Sequence, residues 1–137
     1  IVRRGAARAF AADLIARFDL RGGGPDARTA RLSGGNIQKL ILARALSGSP
    51  RVVLAFQPTR GLDEGAVAAV HARLLDARAQ GAAILLVTED LDEALALSDR
   101  LQAIVAGRLS LPLPAEEADA RRLGLLMAGR WEAHHAA

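Results

Sequence analysis

Val52-Val53-Leu54-Ala55-Phe56 and Ala83-Ile84-Leu85-Leu86-Val87 are two continuous apolar runs one helix-length apart. Runs of this length, without polar alternation, predict strands buried on both faces, as in parallel sheets. The segment between them opens with the loop Gln57 to Leu62. A helix then starts at Asp63 or Glu64 and runs to about Gln80, with Val67, Val70, Leu74 and Leu75 inward, and Gly81 stops it. Strand, helix and strand in this order make a βαβ unit, so the fold class is α/β.

Working outward, the N-terminal side reads as helical. Ala7, Phe10, Leu14 and Phe18 recur at helical spacing within Arg3 to Leu20. Gly22-Gly23-Gly24-Pro25-Asp26 breaks that helix. Ser33-Gly34-Gly35 forms a tight turn that opens a second helix over Asn36 to Leu46, with Ile37, Leu40, Ile41 and Ala45 on its inner side. Ser47-Gly48-Ser49-Pro50 closes it. On the C-terminal side, Asp90 to Ser98 reads as a short acidic helix. Leu101 to Val105 and Arg108 to Leu111 flank Ala106-Gly107 as a hairpin. Pro112 and Pro114 break it, and Pro114 to Ala128 reads as a last helix before a frayed tail from Arg130 to Ala137. This gives three segments: 1–48, 49–111, and 112–137 with the C-terminal helix and tail.

Composition narrows the function classes. The chain has 137 residues, of which 51% are hydrophobic and 24% charged, enough for a real core and against disorder. It has no cysteine, so no disulfide framework and no thiolate metal site. The net charge of +3 comes with aromatic residues at only 3%, too few to build a base-stacking surface, so nucleic acid is not an expected partner. The longest apolar run, Ala82 to Val87, falls far short of the roughly 20 residues a membrane span needs. Arg3, Arg4 and Arg8 precede an Ala-rich stretch, but Asp13 interrupts it and no cleavage site follows, so a cytosolic setting is expected. The first residue is Ile, which suggests a piece of a longer chain.

Three places could carry chemistry. Ser33-Gly34-Gly35 leaves uncovered N–H groups at the positive end of a helix, which suits a phosphate, and suits equally a plain capped turn with Ser33 as N-cap. The carboxyl end of the first strand, Phe56-Gln57-Pro58, is where ligands of open α/β sheets bind, or is simply a buried strand with a proline turn. Thr88-Glu89-Asp90 ends the second strand. Its acids are either catalytic or the helix-start charges that complement a helix dipole. His71 reads as a surface or boundary residue, and His134 and His135 as tail residues.

Taken together, the runs Leu32 to Leu46, Pro50 to Asp63 and Val87 to Arg100 closely resemble, in order and spacing, the ATP-binding cassette (ABC) transporter ATPases. Leu32-Ser33-Gly34-Gly35-Asn36-Ile37-Gln38 is similar to the signature motif. Val52 to Phe56 followed by Gln57-Pro58-Thr59-Arg60-Gly61-Leu62-Asp63 is similar to the Walker B strand and D-loop. Thr88-Glu89-Asp90 is similar to the switch-histidine segment. The wording narrows to the second cassette of tandem ATPases that energise simple-sugar and nucleoside importers, and Leu123-Gly124-Leu125-Leu126-Met127-Ala128-Gly129 resembles the end of the nucleoside branch.

The resemblance implies the C-terminal portion of a P-loop NTPase-like cassette with the Walker A part absent. No Gly-rich phosphate loop ending in Lys and Ser or Thr occurs, and Lys39, the chain's one lysine, follows Gln38. It further implies that Ser33, Gly34, Gly35, Asn36 and Gln38 face ATP held by another cassette, with Asp63 reaching across as the D-loop acid. Three positions depart from an active cassette. Phe56 stands at the Mg²⁺-linked Asp, Gln57 at the catalytic Glu, and Glu89 at the switch His. Phe56 offers no oxygen to a hard cation, and Gln57 cannot take a proton from water at neutral pH. Related second cassettes often lack that Glu and His, so Phe56 is the more unusual change. The cofactor implied is ATP, with Mg²⁺ held mainly by the partner. The partners implied are a second ABC cassette, fused or separate, and membrane permease subunits. The location implied is cytoplasmic, peripheral on the inner face of the cell membrane. The alternatives are a non-catalytic docking or regulatory remnant of a cassette, and a structural-maintenance-of-chromosomes ATPase. The latter calls for a long heptad coiled coil ahead of the signature, where only one ordinary helix stands.

Overall fold

The computed structural model describes residues 3–131; the sequence expectations for His134, His135 and the tail beyond Trp131 lie outside the described residues. Two parallel strands, β1 (Val52–Phe56) and β2 (Ala83–Val87), pair in the register Val52↔Ala83 through Phe56↔Val87. Between them runs α3 (Glu64–Ala79), so the βαβ unit stands as the apolar runs predict. Asp63 starts α3 by accepting a hydrogen bond from Ala66 N–H at 2.9 Å, and Gly81, at φ +94°, lets the chain leave it. The buried stripe of α3 is Ala66, Val70, Leu74 and Ala77. Val67 and Leu75, expected inward, lie to its sides.

The sheet corrects the expectation of two buried faces. Val53 and Ala55 are buried, but Val52, Leu54 and Phe56 on the other face are 62%, 75% and 76% exposed. Leu85 and Val87 continue that face on β2. A continuous apolar run reads the same whether one face or both are covered, so the run alone does not reveal an open face.

Ahead of the sheet, α1 (Arg4–Arg17) and α2 (Gly34–Leu46) pack through Leu14, Phe18 and Ala43, with Leu20 and Leu46 at the edges. Ala43 is fully buried. The expected inner residues Ile41 and Phe10 are about half exposed, because only the C-terminal turns of α1 meet α2. Arg73 of α3 closes this cluster: its guanidinium lies 4.9 Å from the Phe18 ring centroid and donates to the Arg17 carbonyl. Leu14→Ala is expected to cost about 3 kcal/mol, the usual price of emptying a buried leucine site, read as a lower urea midpoint.

The chain divides into two units after Val87. In the second unit, Asp90 caps α4 (Leu91–Leu97) by accepting from the N–H groups of Asp92 and Glu93 at 2.9 and 3.1 Å. The expected hairpin is present but shorter. The strands β4 (Ile104–Val105) and β5 (Arg108–Leu109) turn at Ala106 and Gly107, both at positive φ, as a tight hairpin turn requires. Leu101 instead belongs to β3 (Arg100–Leu101), which pairs with β6 (Leu113–Pro114). Pro114 is therefore a strand residue, and it also caps a short 3-10 turn, Ala115–Glu117, that stands apart from the last α-helix. The last helix begins later, as α5 (Ala120–Met127), where Asp119 caps it through Arg122 N–H. Leu101, Leu113 and Leu123 form the core of this unit.

Candidate nucleotide-facing site

Ser33 is the N-cap of α2. Its hydroxyl oxygen accepts from Asn36 N–H at 3.4 Å and from Asn36 Nδ2 at 2.9 Å. Gly34 and Gly35 are the first helical residues, and their N–H groups have no partner within the helix. The two glycines differ in what surrounds them. A Cβ on Gly34 meets nothing within 4 Å, whereas one on Gly35 stands 3.2 Å from Ala66 Cβ of α3. Gly35 is thus small because α3 is close, and Gly34 faces open space.

Asn36 and Gln38 spend their side chains within the chain. Asn36 Oδ1 accepts from Arg21 N–H at 2.6 Å, pinning the segment before the Ser33 turn. Gln38 Nε2 donates to the Pro58 carbonyl at 2.7 Å, across from α2 to the loop after β1. Lys39, the chain's one lysine, donates to the Asp19 carbonyl at 3.3 Å, just beyond the end of α1.

Phe56 ends β1 on the open face, 76% exposed. Gln57 follows with φ +48°, a left-handed backbone that costs a non-glycine residue about 1–2 kcal/mol. Its N–H donates to the Val87 carbonyl at 2.8 Å, which extends the ladder past the strand end and holds that conformation. The first unit therefore gathers Ser33, Gly34, Gly35 and Asp63 at the starts of two helices in contact through Gly35 and Ala66, and links Gln38 to the residue after Gln57. Glu89 belongs to the second unit, exposed between Thr88 and the capping Asp90, whose N–H donates to Thr88 Oγ1 at 3.0 Å. Ala66 and the acceptor role of the Pro58 carbonyl escaped the sequence reading, since no periodicity marks a carbonyl acceptor or a small contact residue. Among the described residues no group of three or more His, Asp or Glu side chains could hold a metal ion, and no helix is long and apolar enough to cross a membrane.

No protein-family model matches this chain. Curated relatives do. The glucose import ATP-binding protein of Haloferax volcanii is 44% identical over 131 residues, which are 94% of this chain and 24% of that protein. The nucleoside import ATP-binding protein of Lactococcus lactis is 42% identical over 119 residues, 87% of this chain and 24% of that protein. The guanosine import ATP-binding protein of Bacillus subtilis is 40% identical over 129 residues, 94% of this chain and 25% of that protein. Over most of its length the chain is thus similar to a part of these import ATP-binding proteins. It spans about a quarter of the length of these relatives.

Solved structures agree on the cassette fold. An ATP-binding subunit of an ABC transporter matches 91% of this chain and 51% of its own, at a TM-score of 0.69 and 26% identity. A cassette in its dimeric post-hydrolysis state, bound to ADP and Pi, matches 84% of this chain and 49% of its own at a TM-score of 0.70 and 24% identity. The chain thus corresponds to half of a cassette of the P-loop NTPase fold. Among the described residues, the apolar face of β1 and β2 is open.

Proposed function

We propose that this chain supplies the signature turn that caps ATP held by a second cassette, in an importer of a sugar or nucleoside. The carrying observation is the start of α2: Ser33 caps the helix, Gly34 faces open space, and the N–H groups of Gly34 and Gly35 have no partner within the helix. When bound, ATP supplies the phosphate that such a terminus attracts. In this reading Ser33, Gly34 and Gly35 contact that phosphate, Asn36 and Gln38 hold the turn, and Asp63 faces the partner while capping α3. Functionally the chain then divides into a signature piece, 1–48, a sheet half, 49–111, and a C-terminal piece, 112–137.

The chain's own half-site does not fit a divalent cation. Phe56 carries no oxygen, and Gln57 is an amide. The Mg²⁺ that accompanies ATP is therefore held mainly by the partner, and Gln57 and Glu89 make this half-site hydrolytically weak. The assembly sits in the cytoplasm, peripheral on the inner face of the membrane, against permease subunits. The isolated chain is expected to show no ATP turnover above a no-protein blank in a phosphate-release assay. Turnover by the pure chain contradicts the reading.

A docking or regulatory remnant is the second reading, favoured by the exposed Phe56 on an apolar face where an active cassette carries an acid. Such a module binds its partner equally with and without ATP.

A further inference from the structure

We propose that Gln38 is a positioning residue that ties the signature turn to the loop 57–63, so that the two move as one piece. The inference rests on the capping role of Ser33 to Gly35 proposed above. It reaches further, because it links the phosphate-facing turn to the position of Gln57 within the same chain.

Three attachments hold the loop. Gln57 N–H is fixed to the Val87 carbonyl of β2 at 2.8 Å. The Pro58 carbonyl accepts from Gln38 Nε2 of α2 at 2.7 Å. Asp63 is fixed to Ala66 N–H at the start of α3, and Ala66 in turn abuts Gly35. Pro58 is buried and has no N–H, so its carbonyl is the one backbone polar group it can pair. Gln57 sits between the first two attachments in its left-handed conformation. A strained residue persists only where its surroundings over-determine it. Gln38 is the part of those surroundings that comes from the signature helix, one turn beyond Ser33. A shift of α2 on capping a phosphate pulls on the Pro58 carbonyl, and through it on Gln57.

The test uses three variants of the chain: Gln38→Leu and Gln38→Glu, which remove the donor, and Gln38→Lys, which keeps one. Trypsin cleavage after the exposed Arg60 reads the loop, and cleavage after Arg78 at the end of α3 reads general unfolding. The donor-less variants are expected to raise cleavage at Arg60 about ten-fold relative to Arg78, and Gln38→Lys to stay within about three-fold of the wild type. Paired with a P-loop-bearing cassette, Gln38→Leu is expected to associate in ATP within about three-fold of the wild type but to lower the pair's turnover roughly ten-fold. Equal rises at Arg60 and Arg78, no rise at all, or unchanged turnover with a freed loop overturns the proposal. If the wild-type chain shows no ATP-dependent association, the capping role fails, and cleavage at Arg60 still decides the tether on its own.

Discussion

Gly34→Asp is expected to abolish ATP hydrolysis by the chain paired with a P-loop-bearing cassette, while leaving the chain folded. The position separates the two effects. Gly34 is the first residue of α2 and its added Cβ meets open space, so the fold accepts a side chain there. A carboxylate in the first turn also complements the helix dipole and is expected to raise stability by a few tenths of a kcal/mol. The same carboxylate sits where a phosphate is to be held. Two like charges about 4 Å apart near a protein surface repel by about 4 kcal/mol, which is a loss of roughly a thousand-fold in affinity. Gly34→Ala is the control, with near-normal activity. Gly35→Asp is a poorer probe, since its Cβ presses on Ala66 at 3.2 Å and disturbs the contact of α2 with α3. Phosphate release and thermal melting, measured together on the three variants, check this. An active Gly34→Asp pair contradicts it.

Leu54→Lys with Leu85→Lys is expected to convert the isolated chain from a self-associating species into a monomer. Val52, Leu54 and Phe56 of β1 and Leu85 and Val87 of β2 share one face, and Leu54 and Leu85 are directly opposite each other at its centre. Contiguous apolar surface of this kind is normally covered in a soluble protein. Burying a leucine side chain is worth about 1.5–3 kcal/mol, so losing even one is expected to weaken association roughly ten-fold or more. The open edges of a two-stranded sheet add unpaired backbone groups to the same liability. Sedimentation velocity over a range of concentrations reads the change. A wild-type chain that stays monomeric throughout contradicts the account of this face.

Much of this was legible in the residues. Two apolar runs with a helix between them gave the βαβ unit, and Ser33, Gly81 and Ala106-Gly107 marked their turns by residue chemistry. The open face of the sheet was not legible, because Val52, Leu54 and Phe56 are apolar whether or not anything covers them. The split of the last helix was missed because Pro114 fits a helix start in isolation, whereas its pairing opposite Arg100 depends on a residue distant in sequence. At the candidate site, the order of motifs pointed to the turn Ser33–Gly35 on which the proposed capping rests. The hidden part is spatial: Gly35 against Ala66, Gln38 on Pro58, and the positive φ of Gln57 all join residues that no periodicity relates.

The most direct measurement is sedimentation of the wild-type chain with a P-loop-bearing importer cassette, with and without ATP. The capping account predicts a complex that forms in ATP, is lost without it, and does not form with Gly34→Asp. A complex of equal strength with and without ATP contradicts that account and leaves the chain a docking module.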